Sequence, residues 1–328
     1  MSIFISHSSA LSYWRDARRV ISIELGLPCD GEVASSPIFA HASTREVARR
    51  FAAFVPNCDS FDAEELGRMG CGEPPYEMLV ASPDSRRWSS DLVCRTCGMG
   101  IPRGAFCRAS KDVYVSSPEF VFLQMASVMP FLELVRLGYE LCGTYAMPSG
   151  DHRHAVYNCP GIPVHSIVRT LSSADGYSGV KAARRALSRV VGGSNSPMET
   201  ATSMLLTLPS IDGGFGLPAP RLNRRFDDEP GHYYVLDLFW PSAMLALEYD
   251  GEVHASSEQR HRDAARRARL GRSGVTVVTM TKRQLYSYEG MVCIAEIVAR
   301  ATGRTWRRSS SATESRRRLL LEELLTGR

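Results

Sequence analysis

The chain is expected to fold as an α+β N-terminal region, residues 1–192, followed by an α/β domain, residues 196–303. The second domain reads as α-β-β-α-β-α around a mixed sheet, and residues 304–328 follow as a basic, partly flexible tail. Three observations predict this. Gly192-Gly193-Ser194-Asn195-Ser196 has the composition of a linker. Residues 232–254, HYYVLDLFWPSAMLALEYDGEVH, hold two extended apolar runs around a Trp-Pro-Ser turn. Helix-spaced and strand-like segments alternate on both sides of the linker.

In the first region, residues 6–20 predict a helix, capped by Ser6 or Ser8, with Ala10, Leu11, Trp14 and Ala17 as its apolar stripe. TREVARRFAAF, residues 44–54, predicts a second, amphipathic helix with a basic face. EMLVAS and DVYVSS predict strands within the turn-rich stretch 77–115. Residues 117–142 predict a buried helical pair, started by Ser117-Pro118-Glu119 and broken at Pro130. A short element at 163–170 and a helix at 175–190 complete the region.

In the second region, Ser196 as N-cap, Pro197 at the first helical position and Glu199 two residues further on predict a capped helix over 197–207. An Arg-rich helix at 258–270, a strand at 275–281 and a last helix at 290–302 follow the hairpin.

The hairpin carries the chemistry. A turn centred between Ser242 and Ala243 sets Asp237 directly opposite Glu248, with Cβ atoms about 5 Å apart. Asp250 shares their face, and Leu236, Leu238, Leu245 and Leu247 form the opposite, core-facing side. Carboxylates this close repel one another unless a cation intervenes, and hard ions such as Mg²⁺ or Mn²⁺ prefer oxygen ligands. A metal held by Asp237, Glu248 and Asp250 is therefore the expectation, set against an ordinary solvated acidic face.

Charge is distributed unevenly. From Arg260 onward there are 16 Lys and Arg against 6 Asp and Glu, leaving 23 against 29 before it. A basic third beside an acidic cluster suits a polyanion held near metal-binding carboxylates. Cys94-Arg-Thr-Cys97 with Cys107 supplies three of the four ligands of a structural zinc site; the spacing names no fourth, and free thiols are the expectation. No apolar run reaches the roughly 18 residues of a membrane span. The start lacks a basic-then-apolar signal peptide, so the expected location is cytoplasmic, with no membrane partner.

Residues 196–285 resemble a known family. SPMETATSMLLTLPSIDGGFGLPAPRLNRRF, VLDLFWPSAMLALEYDGEVH and HRDAARRARLGRSGVTVVTMTKRQL together resemble the endonuclease-like domain related to the very short patch repair nuclease, of the PD-(D/E)xK superfamily. The resemblance implies an acid on the first helix, matched by Glu199, an Asp on the second strand, matched by Asp237, and a Glu-x-Lys on the third, matched by Glu248 and, in place of lysine, Asp250. A base or charge stabiliser replacing that lysine is sought in His254, Lys282 or Gln284. Arg262, Arg266 and Lys282 are the expected nucleic-acid contacts, and Asp263 is expected to hold an arginine. The implied activity is Mg²⁺- or Mn²⁺-dependent cleavage of DNA, in repair, restriction or defence against mobile DNA. The alternative is a non-catalytic, antitoxin-like DNA-binding regulator on a degenerate nuclease fold, which the aspartate at the lysine position favours.

SHSSALSYWR, SSPEFVFLQMA and GIPVHSIVRTL resemble the region found ahead of such domains in actinobacterial proteins. They also resemble the abortive-infection antitoxin group, whose N-terminal module is a DNA-binding winged helix. That implies a winged-helix-like module binding DNA, a protein partner or a second copy of the chain.

Overall fold

The computed structural model describes residues 2–25, 37–42, 44–57, 62–148, 154–229, 232–250, 257–306 and 309–326. These divide into two compact units, one ending at Val190 and one beginning at Val191. Both mix helices with sheets.

The first unit comprises β1 (Ile3–Ile5), α1 (His7–Leu25), α2 (Thr44–Ala52), α3 (Ala63–Arg68), β2 (Tyr76–Val80), β3 (Trp88–Ser89), β4 (Leu92–Thr96), β5 (Phe106–Arg108) and β6 (Val113–Ser116). It continues with α4 (Pro118–Met125), α5 (Phe131–Leu141), β7 (Tyr145–Ala146), β8 (Val156–Tyr157), α6 (Val164–Ser172) and α7 (Val180–Leu187). Six strands form one sheet in the order β3-β4-β2-β1-β6-β5, with β1–β6 and β2–β4 parallel. This sheet is larger than the small wing that a winged-helix module carries.

Strand β1 escapes a pattern reading because it is three residues long, yet it is central to the sheet. Phe4 is fully buried among Phe51, Phe54, Phe106 and Tyr114, with ring centroids 5.0–5.4 Å away. Such aromatic contacts contribute beyond the area they bury. The stripe of α1 lies inward through Ala10, Leu11 and Trp14, and the Trp14 indole N–H donates to the Ser116 carbonyl at 2.7 Å. Ser117 caps α4 by accepting from the Phe120 N–H, and the chain breaks at Pro130 before α5.

Cys94, Cys97 and Cys107 are buried free thiols. Cys94 lies in β4 and Cys107 in β5, with β2, β1 and β6 between them. That is roughly 19 Å of sheet at the usual strand spacing, so the three do not converge on one ion.

The second unit contains α8 (Pro197–Thr207), β9 (Arg221–Glu229), β10 (His232–Trp240), β11 (Leu245–Asp250), α9 (Ser257–Arg272), β12 (Thr276–Thr281), α10 (Lys282–Leu285), α11 (Tyr288–Ala301) and α12 (Ser311–Thr326). Its sheet runs β12-β11-β10-β9 and is mixed: β9–β10 and β10–β11 are antiparallel, β11–β12 parallel. The connection through α9 returns the chain so that β12 can run alongside β11.

Strand β9 is an addition to the expected order. Its sequence, RLNRRFDDE, is dominated by charge, and of residues 221–228 only Leu222 and Asn223 are deeply buried, which leaves little apolar alternation to read. The leucines assigned to the core face are at most 2% exposed. The acid-bearing face is covered too. Phe239 and Ala246, which alternate with the acids, are buried with Leu270 of α9 and Val275, and Leu236, expected on the opposite face, is buried with them. The acids therefore stand on half-buried ground.

The tail, expected to be only partly flexible, carries α12, which docks within its own unit on α8 and the turn at Ser210–Asp212. Leu320, Leu321, Leu324 and the aliphatic stem of Arg317 are buried there. The Arg317 guanidinium lies 4.3 Å over the Phe215 ring. Neighbouring leucines make the test: Leu320 is 2% exposed and Leu319 64%. Leu320→Ala is expected to cost about 2–5 kcal/mol in urea unfolding, and Leu319→Ala less than about 0.5 kcal/mol. Equal, small costs would show that α12 is not docked.

Candidate active site: a row of carboxylates across the C-terminal sheet

The pairs Leu238–Leu247, Phe239–Ala246 and Trp240–Leu245 fix the β10–β11 register. Paired residues end there; the same register continued one step would set Asp237 opposite Glu248, and Glu248 feels the charge of Asp237. A one-residue slip would have sent them to opposite faces. Pro241–Ala243 forms a single 3₁₀ turn, closed by Met244 in the left-handed region at φ 46°.

The row extends both ways. Glu248 pairs with Thr279 of β12. On the other side, Asn223 of β9 falls opposite Asp237, between the pairs Leu236–Arg224 and Leu238–Leu222. Asn223 has φ 46°, a conformation that asparagine tolerates better than most residues. Its Nδ2 donates to the Gly193 carbonyl at 2.9 Å and to Glu199 Oε2 at 2.5 Å.

Glu199 is thereby tied to the row. Its backbone N–H donates to Ser196 Oγ at 3.1 Å, the N-cap bond that the sequence implies. Its carboxyl accepts from the Asn195 N–H at 2.8 Å and from Ser196 Oγ–H at 3.0 Å. A capping box would have sent the carboxyl to the Ser196 N–H; here it reaches one residue further back and across to β9.

Burial pushes the Glu199 carboxyl up to about 7, and the neighbouring Asp237 adds to the rise against its three hydrogen-bond donors. Burial likewise raises Asp237, opposed by the Tyr249 N–H, which donates to its Oδ2 at 2.9 Å, and by Arg266. Glu248 is raised by burial, then lowered by Arg266, with Asp237 and Asp263 raising it further. Three carboxyls thus share half-buried ground that is short of positive charge.

Arg266, expected as a phosphate contact, supplies the nearest such charge. Its Nη1 donates to Glu248 Oε2 at 2.7 Å and its Nη2 to Glu248 Oε1 at 2.6 Å, a two-pronged pair. Nη2 also donates to the Val235 carbonyl at 2.9 Å, and the guanidinium stands 5.5 Å from the Tyr234 ring centroid. Beside it opens a pocket of about 270 Å³ lined by Glu248, Tyr249, Asp250, Asp263, Arg266, Arg267 and Thr279.

That pocket sorts the remaining candidates. Asp250, at the end of β11, lies on its wall with Glu248. Asp263, which the sequence assigns to holding an arginine and not to the site, also lines it. The signal was there: Asp263, Arg266 and Arg267 are three and four residues apart, on one face of α9. Arg262 is exposed on α9 and does not line the pocket. Lys282 is exposed at the start of α10, 5.7 Å from the Tyr286 ring centroid. Gln284, considered as a substitute base, is committed to a capping box: its Oε1 accepts from the Thr281 N–H at 2.9 Å and from Thr281 Oγ1–H at 3.0 Å. His254 lies outside the described residues.

Among the described residues, no three His, Cys, Asp or Glu side chains converge closely enough to hold a metal ion. Both Glu248 oxygens are engaged by Arg266 in this arrangement. The donor set still suits a hard divalent cation: acidic oxygens on opposed strands, partly desolvated, with raised affinity for any positive partner.

No family model matches the chain, and no curated protein or solved structure matches it either.

The raised Glu199 carboxyl sets a pH dependence. Its ordinary value is 4.5 and the folded protein holds it near 7, so folding favours the protonated form. The stability it contributes is full below about pH 4.5 and lost as pH rises through about 7. In EDTA, wild-type unfolding free energy minus that of Glu199→Gln is expected to fall across this window. A difference independent of pH would show that Glu199 is not held protonated.

Proposed function

We propose that the C-terminal unit is a metal-dependent phosphodiesterase that cleaves DNA. The observation that carries this reading is the single row Asn223–Asp237–Glu248–Thr279, joined by Glu199 through Asn223. With β9 counted, Asp237 stands on the second strand of the unit and Glu248 on the third, after a helix bearing Glu199. That order is compatible with what the PD-(D/E)xK resemblance implies and supports the reading.

Asp237 and Glu248 would hold Mg²⁺ or Mn²⁺, with Asp250 or Glu199 as a further ligand or support. When bound, such an ion activates water and offsets charge on a phosphoryl oxygen. The chain's own residues bind and orient. The basic α9, with Arg262, Arg266 and Arg267, faces a polyanion with guanidiniums suited to phosphate. Asp250 at the lysine position cannot stabilise developing negative charge, so that task falls to a guanidinium. DNA repair, restriction and defence against mobile DNA are settings that use such an enzyme. The N-terminal unit would recruit DNA, a protein partner or a second copy.

One observation favours a second reading. The Arg266–Glu248 pair closes the site as a satisfied ion pair, and Asp250 replaces the lysine. A non-catalytic, antitoxin-like DNA-binding regulator on a degenerate nuclease fold would look like this.

Supercoiled plasmid with Mg²⁺ or Mn²⁺ separates the two. Nicking or linearisation is expected, abolished by EDTA and reduced at least about a hundredfold by Asp237→Asn or Glu248→Gln, the scale for loss of a group acting at the transition state. Salt-sensitive DNA binding without cleavage under any of these conditions would support the regulator instead.

A further inference from the structure

We infer that Arg266 is an exchangeable counter-ion: it neutralises Glu248 until a divalent cation takes that carboxylate, and then turns to a phosphate oxygen. The inference rests on the metal-dependent reading above and assigns that site its coupling between cation and nucleic acid.

The geometry carries it. The guanidinium fork engages both oxygens of Glu248, at 2.7 and 2.6 Å, on the lone pairs that point toward it. Those lone pairs are the ones an inward-facing cation needs, so the two partners compete. Arg266 is the partner placed to leave, because its side chain is 32% exposed while that of Glu248 is only 15% exposed. The carboxylate stays in the sheet, and the arginine has solvent beside it.

The path for the arginine exists. Arg266 lines the pocket of about 270 Å³, which gives its side chain room to swing. Leu270, one turn on, is fully buried and anchors α9, so the movement needs only side-chain rotation. Arg267 lines the same pocket. A released Arg266 would join it as a pair of guanidiniums beside the carboxylate row, a seat for one phosphate.

The two ligands favour one another through the arginine. A cation that takes Glu248 leaves the Arg266 guanidinium without its two-pronged carboxylate partner, and a phosphate restores one. A phosphate alone would strip Glu248 of its counter-ion. Cation and nucleic acid must then bind with positive coupling, and the coupling must be equal in both directions. A purely structural ion pair predicts no such coupling.

The test is direct Mn²⁺ binding to the full chain, read from the free-ion paramagnetic resonance signal, with and without a phosphorothioate DNA duplex that resists hydrolysis. Arg266→Gln is expected to bind Mn²⁺ about tenfold more tightly than wild type without DNA, within the usual range of coupling between sites. DNA should tighten Mn²⁺ binding by wild type several-fold and leave Arg266→Gln unchanged, with Arg266→Lys between them. If Arg266→Gln binds no more tightly while Asp237→Asn abolishes binding, the exchange is wrong and the metal reading stands. If neither wild type nor Arg266→Gln binds Mn²⁺, or Asp237→Asn changes nothing, both fall. Should Arg266→Gln not fold, wild type alone decides: Mn²⁺ affinity independent of DNA overturns the exchange.

Discussion

Two acidic residues forced into opposition on a half-buried hairpin make the constraint from which the rest of the C-terminal unit follows. Asp237 and Glu248 cannot separate without a register slip, because Leu238, Leu245 and Leu247 are locked into the core by the same alternation. They cannot be solvated freely either, because Phe239, Ala246 and α9 cover part of their face. Such a face calls for hydrogen-bond donors and a cation. The structure supplies the Tyr249 N–H to Asp237, the Arg266 fork to Glu248, and the Asn223 amide to Glu199. Each is drawn from a different element, so the unit's helices and strands are organised around the carboxylates as much as around its apolar core.

That arrangement distinguishes a poised site from a merely acidic surface. A surface carboxylate is solvated and titrates near its ordinary value, whereas Glu199, Asp237 and Glu248 are all raised, chiefly by burial. Holding carboxyls this way costs stability at neutral pH. Binding sites carry such costs more often than scaffolds do.

The legible part of the fold was the part governed by short-range rules. Turn chemistry at Pro241 and Ser242 together with strict alternation gave the register of the hairpin, and Ser196-Pro197 marked the start of α8. What escaped depends on contacts between elements distant in sequence. Strand β9 is held by pairing with β10 and not by its own apolar pattern, and three-residue β1 is defined by its neighbours Phe51, Phe106 and Tyr114. Arg266 read as a free phosphate ligand because the rotation of α9 over the sheet is invisible in the sequence. Gln284 read as a candidate base although Thr281, three residues before it, announces a capping box. The zinc alternative for the cysteine trio illustrates the reverse: near neighbours along the chain, Cys94 and Cys107 are separated by three intervening strands.

The most direct measurement is a crystal structure of the full chain with Mn²⁺ and a phosphorothioate DNA duplex, with anomalous scattering locating the ion. The account predicts an anomalous peak between Asp237 and Glu248, with the Arg266 guanidinium turned from Glu248 onto a phosphate. Mn²⁺ found elsewhere, or none bound and the Arg266–Glu248 pair intact beneath bound DNA, would contradict it.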